Sequence, residues 1–284
     1  MEDGEKPMSK TLRTALAAAA LIAGGAASAP IGAQAATLIG LTADNMLVRM
    51  DSETRRAESP IRVTGTDGRL LGIDQRPQDG GLYGVTERGQ IVRIDPMNGR
   101  ATQVSRLNMP FESGGRAVVD FNPVANRLRL MGMSGVNFRV NVDTGEVVRD
   151  GQQKYMDGSP QAGTAPRITA GAYTNSVAPP ANAPAAGQPG APSTALYTID
   201  TLLGAYNLQA PPNDGVQQVK GMLGMGLPVA VGFDVLSDGQ GGNMGFLLSG
   251  NTLHSVNLAD GKLTALGTVA GLPGAEVLDI AAMR

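Results

Sequence analysis

The stretch from Leu71 to Leu107, LGIDQRPQDGGLYGVTERGQIVRIDPMNGRATQVSRL, decides the fold. Leu71-Gly72-Ile73-Asp74 is a short apolar run that ends in Asp. Gln75 to Gly80 is a turn marked by Pro77 and Asp79. Leu82 to Val85 and Ile91 to Asp95 are two further runs of strand length and strand composition. Pro96-Met97-Asn98-Gly99 turns the chain again, and Ala101 to Leu107 forms a fourth run. Four strands joined by tight turns cannot bury both faces of their sheet alone, so the unit needs neighbours of its own kind.

Those neighbours are present along the chain. The same order recurs about every 40 to 55 residues. One copy has Val118-Val119-Asp120, Leu128 to Met131, Phe138 to Asn141 and the turn Asp143-Thr144-Gly145. Another has Ile168 to Asn175, Leu196 to Ile199, Tyr206 to Gln209 and Pro211 to Gly215. A further copy has Val231 to Asp234, Phe246 to Leu248, Leu253 to Asn257 and a turn ending Asp260-Gly261. The remaining copy is split: Leu38 to Leu41 and Leu47 to Asp51 lie at the start, and its first strand, Val277 to Ile280, lies at the end. This pattern predicts an all-β, five-bladed β-propeller, its ring closed by the C-terminal strand pairing with the N-terminal blade. Asp150 to Arg167 leaves room for extra strands, so six blades are the alternative. Residues 36–284 read as one propeller domain, with a Pro/Ala/Gly-rich loop inserted at about 177–193.

The start of the chain reads as a targeting segment. Lys10 and Arg13 precede an Ala- and Leu-rich run, and Ala33-Gln34-Ala35 supplies a small-x-small cleavage pattern. Residues 1–35 are therefore expected to be a signal peptide cut before Ala36, with Met8 as an alternative start. The expected location is the periplasm or the extracellular space. No later segment is apolar enough to span a bilayer. A net charge of −2 with both signs interspersed argues against a nucleic-acid partner. The chain has no Cys, which excludes disulfides, thiolate nucleophiles and Cys-zinc sites. With no Trp and five each of Phe and Tyr, aromatic platforms for sugars are scarce.

Residues 119–145, VDFNPVANRLRLMGMSGVNFRVNVDTG, resemble domain-of-unknown-function family 4394. So do GIDQRPQDGGLYG at 72–84, TAGAYTN at 169–175 and PPNDG at 211–215. The resemblance implies an exported bacterial propeller-type protein. It brings no activity and no catalytic residues with it.

Candidate chemistry comes from the repeat and from its breaks. Asp74, Asp120, Asp234 and Asp279 recur at one position, and a ring of carboxylates can hold Ca²⁺, which prefers oxygen ligands. Turn capping by each Asp is the favoured reading, and no cofactor is expected. Asp51, Asp95, Asn141 and Asn257 read as caps of the turn after the third strand. Arg49, Arg93 and Arg139 each stand two residues before such a cap, on its side of the strand, where a local ion pair suffices.

The breaks sit in the copies containing Asp120 and Ala172. Arg127 and Arg129 replace Gly81 or Ala195 and Tyr83 or Tyr197 of other copies, and Asn137 replaces an apolar residue. With Arg139, Tyr173 and Asn175 they form the candidate ligand site, an Arg fork for a carboxylate, sulfate or phosphate. The competing reading pairs these arginines with acids of an adjacent blade, the candidates being Asp120, Asp74 and Glu87. His254, the sole His, aligns with apolar residues and reads as packing.

The expected function is an exported binding or interaction module for a small anion or an acidic glycan, more binder than enzyme. The alternatives are a hydrolase or lyase using Asp carboxylates in the central funnel, and a structural envelope or matrix protein. The partner is correspondingly a small molecule, a glycan or an envelope protein.

Overall fold

The computed structural model describes Met1 and residues 35–185, 188–224 and 226–284. The segment expected to be a signal peptide, apart from Met1 and Ala35, lies outside the described residues.

Five sheets, antiparallel but for one short edge strand, follow one another along the chain. Blade 1 combines Val277–Met283, Thr37–Thr42 and Met46–Asp51, with the short strands Arg56–Ala57 and Ile61–Arg62 on its outer side. Blade 2 is Leu70–Gln75, Leu82–Thr86, Gln90–Ile94 and Ala101–Arg106. Blade 3 is Ala117–Asn122, Arg127–Gly132, Asn137–Val140 and Val147–Arg149. Blade 4 is Ile168–Tyr173, Leu196–Asp200, Ala205–Gln209 and Val216–Met222. Blade 5 is Val231–Ser237, Asn243–Ser249, Thr252–Val256 and Leu263–Thr268.

The innermost strands touch in a closed circuit, each with the next and blade 5 with blade 1. The tail completes the first blade: Leu38 pairs with Ala282 and Leu41 with Asp279, antiparallel. The chain is thus a five-bladed β-propeller whose ends are joined by hydrogen bonds. The stretch from Asp150 to Arg167 holds no sixth blade. Its short strand Lys154–Tyr155 instead adds in parallel to the outer edge of blade 4.

Burial explains the composition of the strands. A blade is packed on both faces near the axis, so Ile168–Tyr173 and Leu82–Thr86 are buried throughout. The outermost strand Ala101–Arg106 buries only its first residue fully, and the rest is polar except for the exposed Val104. Apolar layers fill all five joints. Ile39, Leu47, Leu82 and Ile94 pack between blades 1 and 2, and Tyr83, Val85, Phe121 and Phe138 between blades 2 and 3. Tyr206, Phe233 and Leu247 join blades 4 and 5, and Leu38, Phe246 and Ile280 join blades 5 and 1. The joint between blades 3 and 4 has a smaller apolar layer of Val118, Met131, Ile168, Tyr173 and Leu196.

The turn after each third strand follows the sequence reading. Asp51, Asp95, Asn141 and Asn257 each accept the backbone N–H two residues ahead. The glycine that ends this turn has a second duty. Gly99 and Gly145 have φ of 72° and 77°, and a Cβ on either would fall on a carbonyl of the preceding blade, that of Arg62 or Arg106.

Candidate functional site

The predicted Arg patch is a buried clasp between blades 3 and 4. Arg129 faces blade 4 from the second strand and is only 1% exposed. Its Nη1 donates to Asp150 Oδ2 at 2.7 Å and to Asn137 Oδ1 at 2.8 Å. Its Nε donates to the Tyr173 hydroxyl, and its Nη2 to Asn213 Oδ1. Arg139 grips the same carboxylate from the half-exposed side, with Nε and Nη2 at 2.7 and 2.8 Å from the two Asp150 oxygens. Asn137 Nδ2 donates to the carbonyls of Gly151 and Pro212, which locks the Pro211–Gly215 turn of blade 4 onto blade 3.

Arg129, Asn137, Arg139 and Tyr173 are therefore brought together, around an acid of this same chain. Asp150 was not among the expected partners. It lies beyond the fourth strand, where repeat alignment gives no position to read. Asp74 and Asp120 bind backbone instead, and Glu87 pairs with Arg69. The other two candidates stand apart from the clasp. Arg127 bonds the Asn126 carbonyl and helps hold the Asp143 carboxyl below its ordinary range, behind the larger effect of Arg76. Asn175 pairs with Asn243 of blade 5 and takes part in the joint between blades 4 and 5.

The hydrogen bonds of the four recurring aspartates differ from the capping expectation. Asp74, Asp120, Asp234 and Asp279 lie within their strands, not at the ends. Each reaches across a joint to a backbone N–H of the next inner strand. Asp279 accepts from Ile73, Asp74 from Phe121, Asp120 from Tyr173 and Asp234 from Ala282. Three of them also accept their own following N–H. Blade 4, with Ala172 at this position, has no such staple. Ser176 bridges the gap there, accepting from Ser237 N and donating to the Val235 carbonyl.

Carboxylates so close to the axis disfavour their own ionisation. Burial raises the pKa of Asp74 and Asp120 well above the ordinary range, and neighbouring acids add to it. Burial lifts Asp234 to about 6 and Asp279 to about 8, the latter against the pull of Arg116. Carboxylate oxygens of Asp74, Asp120 and Asp234 lie within 4.8 Å of one another, a spacing a hard cation can bridge. Ca²⁺ takes about 6 to 8 oxygens, more than these three residues offer once they hold their N–H groups.

Arginines without acids are found elsewhere, beside blade 2. A cleft of about 640 Å³ opens there, between the Gly80-Gly81 turn, the Asp95-Pro96 turn and Met283 of blade 1. Arg93 and Arg100 line it. Among the described residues neither forms an ion pair, whereas the repeat equivalents of Arg93 do: Arg49 with Glu58 and Arg139 with Asp150. None of the three pairs with the adjacent turn cap, contrary to the local pairing expected from sequence. Gly81 makes the space for Arg93, since a Cβ there would lie 2.5 Å from Arg93 Nε. Asp95 is the one acid in the lining among the described residues, and both its oxygens accept bonds from its own turn, from Met97 N and Asn98 Nδ2. Sequence reading missed this site because the signal is an absence: the acids that meet Arg49 and Arg139 lie outside the strands, where the repeat aligns no position, and Arg93 has no counterpart to them among the described residues.

Comparison with known proteins supports fold and family. No curated protein matches the chain. A structural-genomics protein of unknown function from Bacteroides thetaiotaomicron is 16% identical, over 88% of this chain and 65% of that one, with a TM-score of 0.50. A protein of unknown function from Bacteroides caccae is 10% identical, over 88% of this chain and 100% of that one, at a TM-score of 0.41. An auxiliary nutrient binding protein from Bacteroides ovatus is 14% identical, over 74% of this chain and 55% of that one, at 0.43. The chain spans less than two thirds of the first and third of these proteins. At such identities the likeness concerns the fold. The profile of the domain of unknown function DUF4394 matches residues 46–281, most of the propeller, and the chain belongs to that family.

Proposed function

We propose that this protein is an exported binding module that holds a small anionic ligand in the cleft beside blade 2. The observation that carries the reading is the pair Arg93 and Arg100 lining a cavity of about 640 Å³ without an acid partner among the described residues. Ligand pockets commonly enclose about 300–1,000 Å³ and fix their ligand with a few polar groups. The Arg129 fork, by contrast, already holds Asp150 and supports the joint. Export rests on the N-terminal pattern ending at Ala35.

Thermal shift against a panel of organic anions tests the binding. A ligand that raises the melting temperature of the parent and leaves Arg93→Gln unmoved supports the reading. Equal shifts in both proteins remove it. N-terminal sequencing of the secreted protein tests export, with Ala36 as the expected first residue.

A hydrolase or lyase reading draws support from the raised pKa of Asp74 and Asp120. We favour the binder because those carboxylates are engaged by backbone N–H groups across the joints. Turnover of a bound ligand that is lost in Asp74→Asn would reverse that preference.

A further inference from the structure

Resting on the binding reading above, we propose that the ligand of this cleft is an organic acid with an aliphatic body, held by its carboxylate and not a sugar acid or an inorganic anion. Two features of the lining point there.

The first is the charged end. Arg93 is exposed, and its guanidinium lies over Gly81, the position where blade 3 carries Arg127 and blade 4 carries Ala195. Asp79, whose Oδ1 also borders Gly81, is engaged on both oxygens: Oδ1 accepts the Gly81 N–H, and Oδ2 accepts the Tyr83 hydroxyl and Arg76. A planar guanidinium left in this state offers parallel N–H donors to a carboxylate. Arg100, across the turn, adds a second positive charge.

The second is the remainder of the wall. Pro96, Val104 and Met283 form the accessible side, with the buried Leu82 and Ile94 behind them. Among the described residues no aromatic lines the cleft, so a sugar ring finds no stacking face there. Thr102 is the one side-chain hydroxyl in the lining among the described residues, too few polar partners for the many hydroxyls of a hexuronate. An aliphatic chain asks only for apolar contact, which this wall gives.

The test is a chain-length series. Butyrate, hexanoate and octanoate are titrated calorimetrically into the parent, Arg93→Gln and Val104→Asp, with glucuronate and inorganic phosphate as comparison probes. The dissociation constant should fall about fourfold per methylene that enters the cleft. Arg93→Gln should abolish octanoate binding, and Val104→Asp should flatten the series while the protein stays folded by circular dichroism. A flat series in the parent overturns the aliphatic assignment. If glucuronate or phosphate then binds in an Arg93-dependent way, the anion-binding reading survives alone. If no probe binds in an Arg93-dependent way, both fall.

Discussion

Arg49, Arg93 and Arg139 share one position of the repeat and differ in what faces them. Arg49 lies 3.6 Å from Glu58 and Arg139 2.7 Å from Asp150, while Arg93 looks onto a cleft. Asp150 holds two arginines at once. Its side chain is 5% exposed, and that of Arg129 only 1%. Asp150→Ala leaves the Arg129 charge buried and uncompensated, and should cost about 3–5 kcal/mol in urea unfolding. Arg139→Ala should cost less, because its side chain is 35% exposed and Arg129 still holds the acid. At the cleft, Gly81→Ala should weaken ligand binding without unfolding the protein. The nearest atoms to the new Cβ all belong to side chains: Arg93 must swing away, and Asp79 and Tyr83 must give by a few tenths of an ångström. The turn caps at Asp51, Asp95, Asn141 and Asn257 were legible in sequence because both partners lie within two residues. The partner of Arg129 was not, because it sits 21 residues away outside the repeat.

Among the elements, the last strand does the most for the whole. Val277–Met283 pairs with Thr37–Thr42 and also packs against the inner strands of blades 2 and 5. Removing residues 276–284 exposes the inner edge of blade 1 and deletes Asp279 and the Ala282 N–H, two links of the aspartate ring. Such a truncation should abolish the cooperative thermal transition, whereas shortening the inserted loop at 177–193 should shift the melting temperature little. The split blade was legible because an apolar strand ending in Asp recurs at the tail without the rest of its unit. The parallel strand Lys154–Tyr155 was not. Two residues carry no periodicity, and their partner strand belongs to the next blade.

At the scale of the molecule, the propeller is held around its axis by acids that resist ionisation. Asp234 and Asp279 titrate near 6 and 8 when folded, above the ordinary 3.8, and Asp74 and Asp120 are displaced the same way. Between about pH 4 and pH 8 the folded chain therefore binds protons that the unfolded chain has released, so stability falls as pH rises through this window. Melting temperature should increase on acidification from pH 8 to about pH 5, and Asp279→Asn should shallow that slope. Below about pH 4 the trend should reverse, as Asp51, Asp67 and Asp143, whose values are lowered by hydrogen bonds and arginines, become protonated. The ring of acids was visible in sequence as a recurring letter. Its cross-joint hydrogen bonds were not, since they depend on how one sheet is set against the next.

The binding role rests on one contrast between blades, and a paired titration tests it most directly. Octanoate is titrated into Arg93→Gln and Arg139→Gln, two folded proteins changed at the same repeat position. Binding should disappear in the first and persist in the second. Loss in Arg139→Gln with full binding in Arg93→Gln would place the ligand at the joint between blades 3 and 4 and contradict the role assigned to the cleft.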